Sequence, residues 1–153
     1  MAKGSDRSSI LTVKDLRKIE APRHRTAIPR QHVRLLCVDD EDDILNGLRM
    51  AFEAAGYQVE TAGNGFLALQ KVRKNPNQFQ LIVTDIRMPG MDGFDFIEQA
   101  RVIGYGGPFV VYAGMVSPDD RQRLAELHVQ SVIVKPARTA ELIAAVREVR
   151  TGF

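Results

Sequence analysis

The feature that most constrains this chain is a set of short, nearly continuous apolar runs that end in ionisable residues. Leu35-Leu36-Cys37-Val38 runs into Asp39-Asp40-Glu41, Leu81-Ile82-Val83-Thr84 into Asp85, and Val132-Ile133-Val134 into Lys135-Pro136. Pro108–Tyr112 is a fourth apolar run, and Tyr57–Thr61 also reads as a strand. Runs of three to five residues are too short for ordinary helices, and their apolar continuity implies burial on both faces. Between them lie stripes at helical spacing. Ile44, Leu45, Leu48, Ala51, Phe52 and Ala55 form the first, with Gly56 as its stop and Asp42 or Asp43 as its cap. Asn64–Lys74 and Gly93–Val102 form the next two. Ser117-Pro118-Asp119-Asp120 opens a fourth, with serine as cap, proline in the first turn and acids favoured by the helix dipole. Thr139 is expected to cap a fifth through Leu142, Ile143, Val146 and Val149. Five strands alternating with five helices predict an α/β fold: a parallel sheet with helices on both faces, right-handed crossovers, and a binding crevice outside the carboxyl ends of the strands.

The 153 residues leave room for one such domain and a tail. Residues 1–32 carry eight basic and three acidic residues, so the tail is net +5 and the remainder is net −3. We read 1–32 as a basic extension and 33–150 as the folded domain. Within the extension Ile10, Leu11, Val13, Leu16 and Ile19 fit one face of a short helix that Pro22 would end. Arg23, His24, Arg25 and Arg30 have no aromatic residue beside them for stacking on bases, so a nucleic-acid role is not favoured. No apolar run approaches the ~20 residues of a membrane span, and the polar start does not fit a secretory signal. The single cysteine, Cys37, permits neither an internal disulfide nor a cysteine zinc site. A cytoplasmic location is expected.

At one end of such a sheet Asp39, Asp40, Asp85 and Lys135 would converge. Three carboxylates in one crevice repel each other unless a cation joins them. Oxygen donors without cysteine or histidine suit Mg²⁺ or Mn²⁺. A lysine across the pocket supplies a point charge suited to phosphate. The set reads as phosphoryl-transfer chemistry, with a carboxylate as nucleophile. Each member alone has a plainer meaning, as helix cap, solvated acid or loop residue; the conjunction in this strand order is what points to a site.

Three segments carry a resemblance to a known family: Leu35-Leu36-Cys37-Val38-Asp39-Asp40-Glu41, Thr84-Asp85-Ile86-Arg87-Met88-Pro89-Gly90-Met91-Asp92-Gly93 and Val134-Lys135-Pro136. Over residues 33–150 the chain resembles the receiver domains of two-component response regulators. The resemblance implies a flavodoxin-like (βα)5 fold with strand order 2-1-3-4-5. It implies Asp85 as phosphoacceptor and Asp39 and Asp40 as the acid pair that holds Mg²⁺, with Asp85 and the backbone carbonyl of Arg87 as further ligands. Lys135 would pair with the acceptor and then with the phosphoryl group, and the peptide before Pro136 would be cis. The partners implied are a sensor histidine kinase or phosphotransfer protein and a downstream protein target, with a homodimer left open. The activity implied is self-phosphorylation and self-dephosphorylation rather than that of a free-standing enzyme.

The family pattern breaks at two places. Ala113 stands where a threonine or serine is usual at the end of strand four, and Val132 stands where a switching aromatic is usual on strand five. Tyr112 is aromatic, but strand alternation turns it to the other side. Acceptor chemistry should survive these departures, and the usual conformational readout should be weak or rerouted. A rival reading is a pseudo-receiver that binds a protein partner regardless of phosphate. A metal-dependent phosphatase of related topology is disfavoured, because it needs a second aspartate where Arg87 stands.

Overall fold

The computed structural model describes residues 32–129 and 131–151. The basic extension and its Ile10–Ile19 stripe lie outside them, apart from His32. Among the described residues five strands and five helices alternate. They are β1 (Arg34–Val38), α1 (Asp42–Ala54), β2 (Gln58–Ala62), α2 (Gly65–Lys74), β3 (Leu81–Thr84), α3 (Gly93–Val102), β4 (Phe109–Ala113), α4 (Pro118–Glu126), β5 (Ser131–Val134) and α5 (Thr139–Thr151). All neighbouring strands are parallel, in the order β2-β1-β3-β4-β5.

Strand alternation divides the interior into two cores. Leu36, Val38, Ile82, Phe109, Val111 and Ala113 point to one face, where they meet Val72 of α2, Phe94 and Ile97 of α3, and Leu124 of α4. Leu35, Cys37, Leu81, Val83, Val110 and Tyr112 point to the other, against Leu48 and Phe52 of α1 and Val146 of α5. The three inner strands are therefore sealed on both sides, which explains their lack of polar alternation. Burial also pushes the Cys37 thiol up to about 12. No helix among the described residues is long and apolar enough to cross a membrane.

Local signals place the helix starts, with two corrections. Asn64, Asp92 and Ser117 cap α2, α3 and α4 by accepting from Leu67 N, Asp95 N and Asp120 N. Helix α1 instead follows Glu41, which makes no side-chain cap bond; Asp42 and Asp43 both lie in the first turn, where they favour the dipole without capping. Thr139 is the first residue of α5 and not its cap. The carbonyl of Arg138 accepts from Glu141 N and Leu142 N, so the helical bonding starts one residue before the threonine. Gly56 ends α1 with φ +99°, the left-handed conformation glycine adopts freely. Helix α4 is followed instead by His128 at φ 60°, an uncommon conformation for a residue with a side chain.

Candidate functional site

The carboxyl ends of β1, β3 and β5 bring four sequence-predicted residues together. Asp39 follows β1, Asp85 follows β3 and Lys135 follows β5, while Asp40 sits at the rim. Carboxylate oxygens of Asp39, Asp40 and Asp85 all lie within 4.8 Å of one another. Nζ of Lys135 donates to Oδ2 of Asp39 at 2.7 Å and to Oδ2 of Asp85 at 3.2 Å. Asp39 is 1% exposed and Asp85 is 7% exposed, whereas Asp40 is open to solvent.

The backbone fixes how these carboxylates face. Oδ1 of Asp39 accepts from the Glu41 N–H at 2.9 Å, and Oδ1 of Asp85 accepts from the Ile86 N–H at 2.7 Å. Each therefore turns its second oxygen toward Lys135. Asp85 N donates to Val38 O at 2.9 Å, which ties the end of β3 to the end of β1. Lys135 N donates to Ala113 O at 2.8 Å, which anchors the lysine's backbone at the end of β4. The peptide between Lys135 and Pro136 is cis.

Burial raises the Asp39 carboxyl above its ordinary value, and the Asp85 charge adds to that, against the pull of Lys135 and the Glu41 N–H. Burial acts on Lys135 in the opposite sense, but its bonds to Asp39 and Asp85 prevail and hold its ammonium above the ordinary lysine value. One lysine thus offsets part of the charge of three acids. The residual negative charge and the all-oxygen donor set fit a hard divalent cation such as Mg²⁺.

The segment after Asp85 is shaped around the site. Met88 and Met91 are each 7% exposed and pack into the core of the α2–α3–α4 face. Gly90 has φ +81°, and Gly93 lies hard against the Asp85 carbonyl. Arg87 projects outward and donates to Asp120 of α4 at 2.6 Å. That pair was invisible in the sequence: the two residues are 33 positions apart, and Asp120 carries the ordinary signature of a capping box.

Ala113 is fully buried and Val132 packs against the same core, so the two departures from the family pattern share one face. Tyr112 lies in the opposite core, as alternation implies. It nevertheless reaches the site from beneath, with Lys135 Nζ 5.4 Å from its ring centre and its hydroxyl accepting from Ala137 N at 3.4 Å.

Known proteins resemble this chain in sequence and in fold. The chain is 35% identical over 114 residues to the transcriptional regulatory protein PrrA of Mycobacterium tuberculosis, a match spanning 74% of this chain and 48% of PrrA. The chain thus spans about half the length of the curated relatives it matches. The chemotaxis protein CheY4 of Vibrio cholerae superposes with a TM-score of 0.73 at 30% identity, over 78% of this chain and 99% of that one. A CheY-like receiver domain protein of Methanospirillum hungatei gives a TM-score of 0.74 at 27% identity, over 80% and 96%. The family profile described as response regulator receiver domain matches residues 35–147. With this sheet order and that span of agreement, the chain belongs to the response regulator receiver domain family.

Proposed function

We propose that the chain accepts a phosphoryl group on Asp85 from a phosphohistidine of a sensor kinase or phosphotransfer protein. The observation that carries this is the convergence of Lys135 on both Asp39 and Asp85 beside a third acid. The Asp85 oxygen turned into the crevice attacks phosphorus. A P–O bond forms, the P–N bond to the donor imidazole breaks, and the imidazole leaves with its electron pair. Lys135 is placed to follow the charge, from the free carboxylate to the phosphoryl oxygens. Asp39, Asp40, Asp85 and the carbonyl of Arg87 would hold Mg²⁺, which when bound neutralises charge on the transferred group. Asp85 held by the Ile86 N–H presents one oxygen in a fixed direction, the orienting contribution of the backbone.

Self-phosphorylation from a small donor and self-hydrolysis follow from the same pocket, without free-standing enzyme activity. Output would pass through contact with another protein, in a cytoplasmic signalling pathway. Incubation with acetyl phosphate and Mg²⁺ should give one phosphoryl adduct by intact mass, absent from Asp85→Asn and abolished by chelator. An adduct that persists in Asp85→Asn, or none on the wild type, refutes the proposal. The second outcome would favour the pseudo-receiver, to which Ala113 and Val132 lend support.

A further inference from the structure

Helix α4 is weakly anchored on its face of the sheet. Among its residues only Leu124 is buried, whereas α3 buries Gly93, Phe94, Phe96, Ile97 and Ala100. Its N-terminal turn is held instead by polar contacts that converge on one carboxylate oxygen. Oδ2 of Asp120 accepts from Ser117 N at 3.0 Å and from Nη2 of Arg87 at 2.6 Å. The Ser117 hydroxyl accepts in turn from Asp120 N at 3.0 Å. The Arg87 guanidinium lies 5.9 Å from the centre of the Phe94 ring, and that of Arg123, from α4, lies 4.3 Å from the same ring. The loop after Asp85 is therefore joined to α4 by side chains that bypass β4 and β5.

We propose that Arg87 senses the phosphoryl group: when Asp85 is phosphorylated, the Arg87 guanidinium exchanges Asp120 for the phosphoryl oxygens and releases the N-terminal turn of α4. This rests on Asp85 being the phosphoacceptor. Two anions compete for one guanidinium. Asp120 is a single carboxylate that the Ser117 N–H already satisfies in part. The Arg87 side chain is 58% exposed and that of Asp120 12%, so the pair is open on the arginine side, where a second anion can reach the guanidinium. A phosphoryl group brings a charge of about −1.5 to −2 and three acceptor oxygens, and the guanidinium fork matches that geometry better than a point charge does. Asp85 and Arg87 are two residues apart, at most about 7 Å between α-carbons, which is within reach of an arginine side chain. Lys135 reaches Asp85 from the end of β5 and can serve a phosphoryl oxygen only on that side, and the methyl of Ala113 offers no hydroxyl, so a phosphoryl oxygen turned away from Lys135 needs another donor.

The test measures amide hydrogen exchange of residues 117–126 with and without acetyl phosphate and Mg²⁺, with intact mass taken on the same samples. Wild-type exchange in this segment should rise about two- to fivefold on phosphorylation, the range of an exposed ion pair. Asp120→Asn keeps an oxygen for the Ser117 N–H and loses the charge. It should form the adduct, exchange at the faster rate before phosphorylation, and show no further rise. Arg87→Ala should start fast as well. If the adduct forms and α4 accelerates equally in all three proteins, or not at all in the wild type, the sensing role of Arg87 is overturned while Asp85 stands as acceptor. If the wild type forms no adduct, the acceptor assignment falls and takes this role with it.

Discussion

Replacing Gly93 with alanine should destabilise the protein even though it improves helix propensity. Gly93 opens α3 and lies outside the left-handed region, so backbone conformation alone would accept alanine. Propensity would favour the change by at most about 1 kcal/mol. Sterics oppose it. A Cβ at this position would stand 2.2 Å from the Asp85 carbonyl oxygen, 2.8 Å from Ile86 Cα and 3.1 Å from the Asp85 carbonyl carbon. Ordinary contact begins near 3.4 Å, so relief requires a displacement of about 1 Å. The obstructing atoms are backbone and cannot turn to another rotamer. They are held by the bonds from Asp85 N to Val38 O and from Gly93 N to Ile86 O. Overpacking against an unyielding wall costs about 1–3 kcal/mol, which leaves a net loss of up to about 2 kcal/mol after the propensity gain. The displacement also moves the Asp85 carboxylate off its line to Lys135, so adduct formation should slow. Gly47 is the control: it lies inside α1, and a Cβ there would meet nothing within 4 Å. Gly47→Ala should stabilise by about 0.5–1 kcal/mol. Urea unfolding followed by circular dichroism measures both. A Gly93→Ala variant as stable as Gly47→Ala would refute the steric account.

Lys135→Ala should leave Asp39 and Asp85 facing each other without their shared cation, and removal of a charged hydrogen-bond partner from a part-buried site costs about 1–3 kcal/mol. Saturating Mg²⁺ should recover most of that loss in thermal unfolding, because a ligand that binds only the folded state stabilises it; no recovery would count against the acids as a metal site. Ala113→Thr should enlarge the phosphorylation-dependent change in amide exchange over residues 113–135, since it supplies a hydroxyl beside the acceptor. Equal changes in wild type and variant would show that the hydroxyl has no part in readout. Burial pushes the Glu60 carboxyl up, but Lys71 and then Arg34 prevail and hold it below the ordinary glutamate value. Its folded pKa is depressed, so its contribution to stability is present above the unfolded value near 4.5 and is lost as pH falls through the folded value. Glu60→Gln should flatten the stability profile in that acidic window, and an unchanged slope would contradict the assignment.

The sheet was legible because its strands obey a physical rule that leaves a mark in sequence. Strands such as Leu81–Thr84 are buried on both faces, so each must be apolar throughout, and an acid immediately after such a run must sit at the mouth of the sheet. Asp39 and Asp85 follow that logic; Lys135 follows β5, an edge strand that is only partly buried, and its apolar run overstated the burial there. Helix caps were less legible. Asp42, Asp43 and Thr139 all have the chemistry of a cap, yet the backbone places them inside the first turn, and residue type cannot distinguish adjacent positions. The Arg87–Asp120 pair was hidden for a different reason. It depends on where the loop from Ala113 to Ser117 delivers α4, and no local periodicity encodes that path. Tyr105 is similar: it lies in what reads as a Gly-rich loop, yet it is 1% exposed and donates to Pro108 O at 2.9 Å.

The side chains at 113 and 132 hold none of the acidic pocket's charges in place. Asp39, Asp85 and Lys135 are held by strand ends and by backbone N–H groups of the residues beside them, none of which needs a hydroxyl on β4. Ala113 and Val132 belong to the core beneath α4, with Val116, Leu124 and Leu127. Losing polar groups there makes that core more apolar and leaves the pocket's charges where they were. If Asp85 is phosphorylated and α4 carries the readout, as proposed, chemistry and readout are separable: the first depends on where strands end, the second on what ties α4 to those ends. Because α4 itself buries only Leu124, the Arg87–Asp120 pair is one of few contacts that hold its N-terminal turn. A receiver without the buried hydroxyl can still transmit its state if the tie on the surface answers to the same charge.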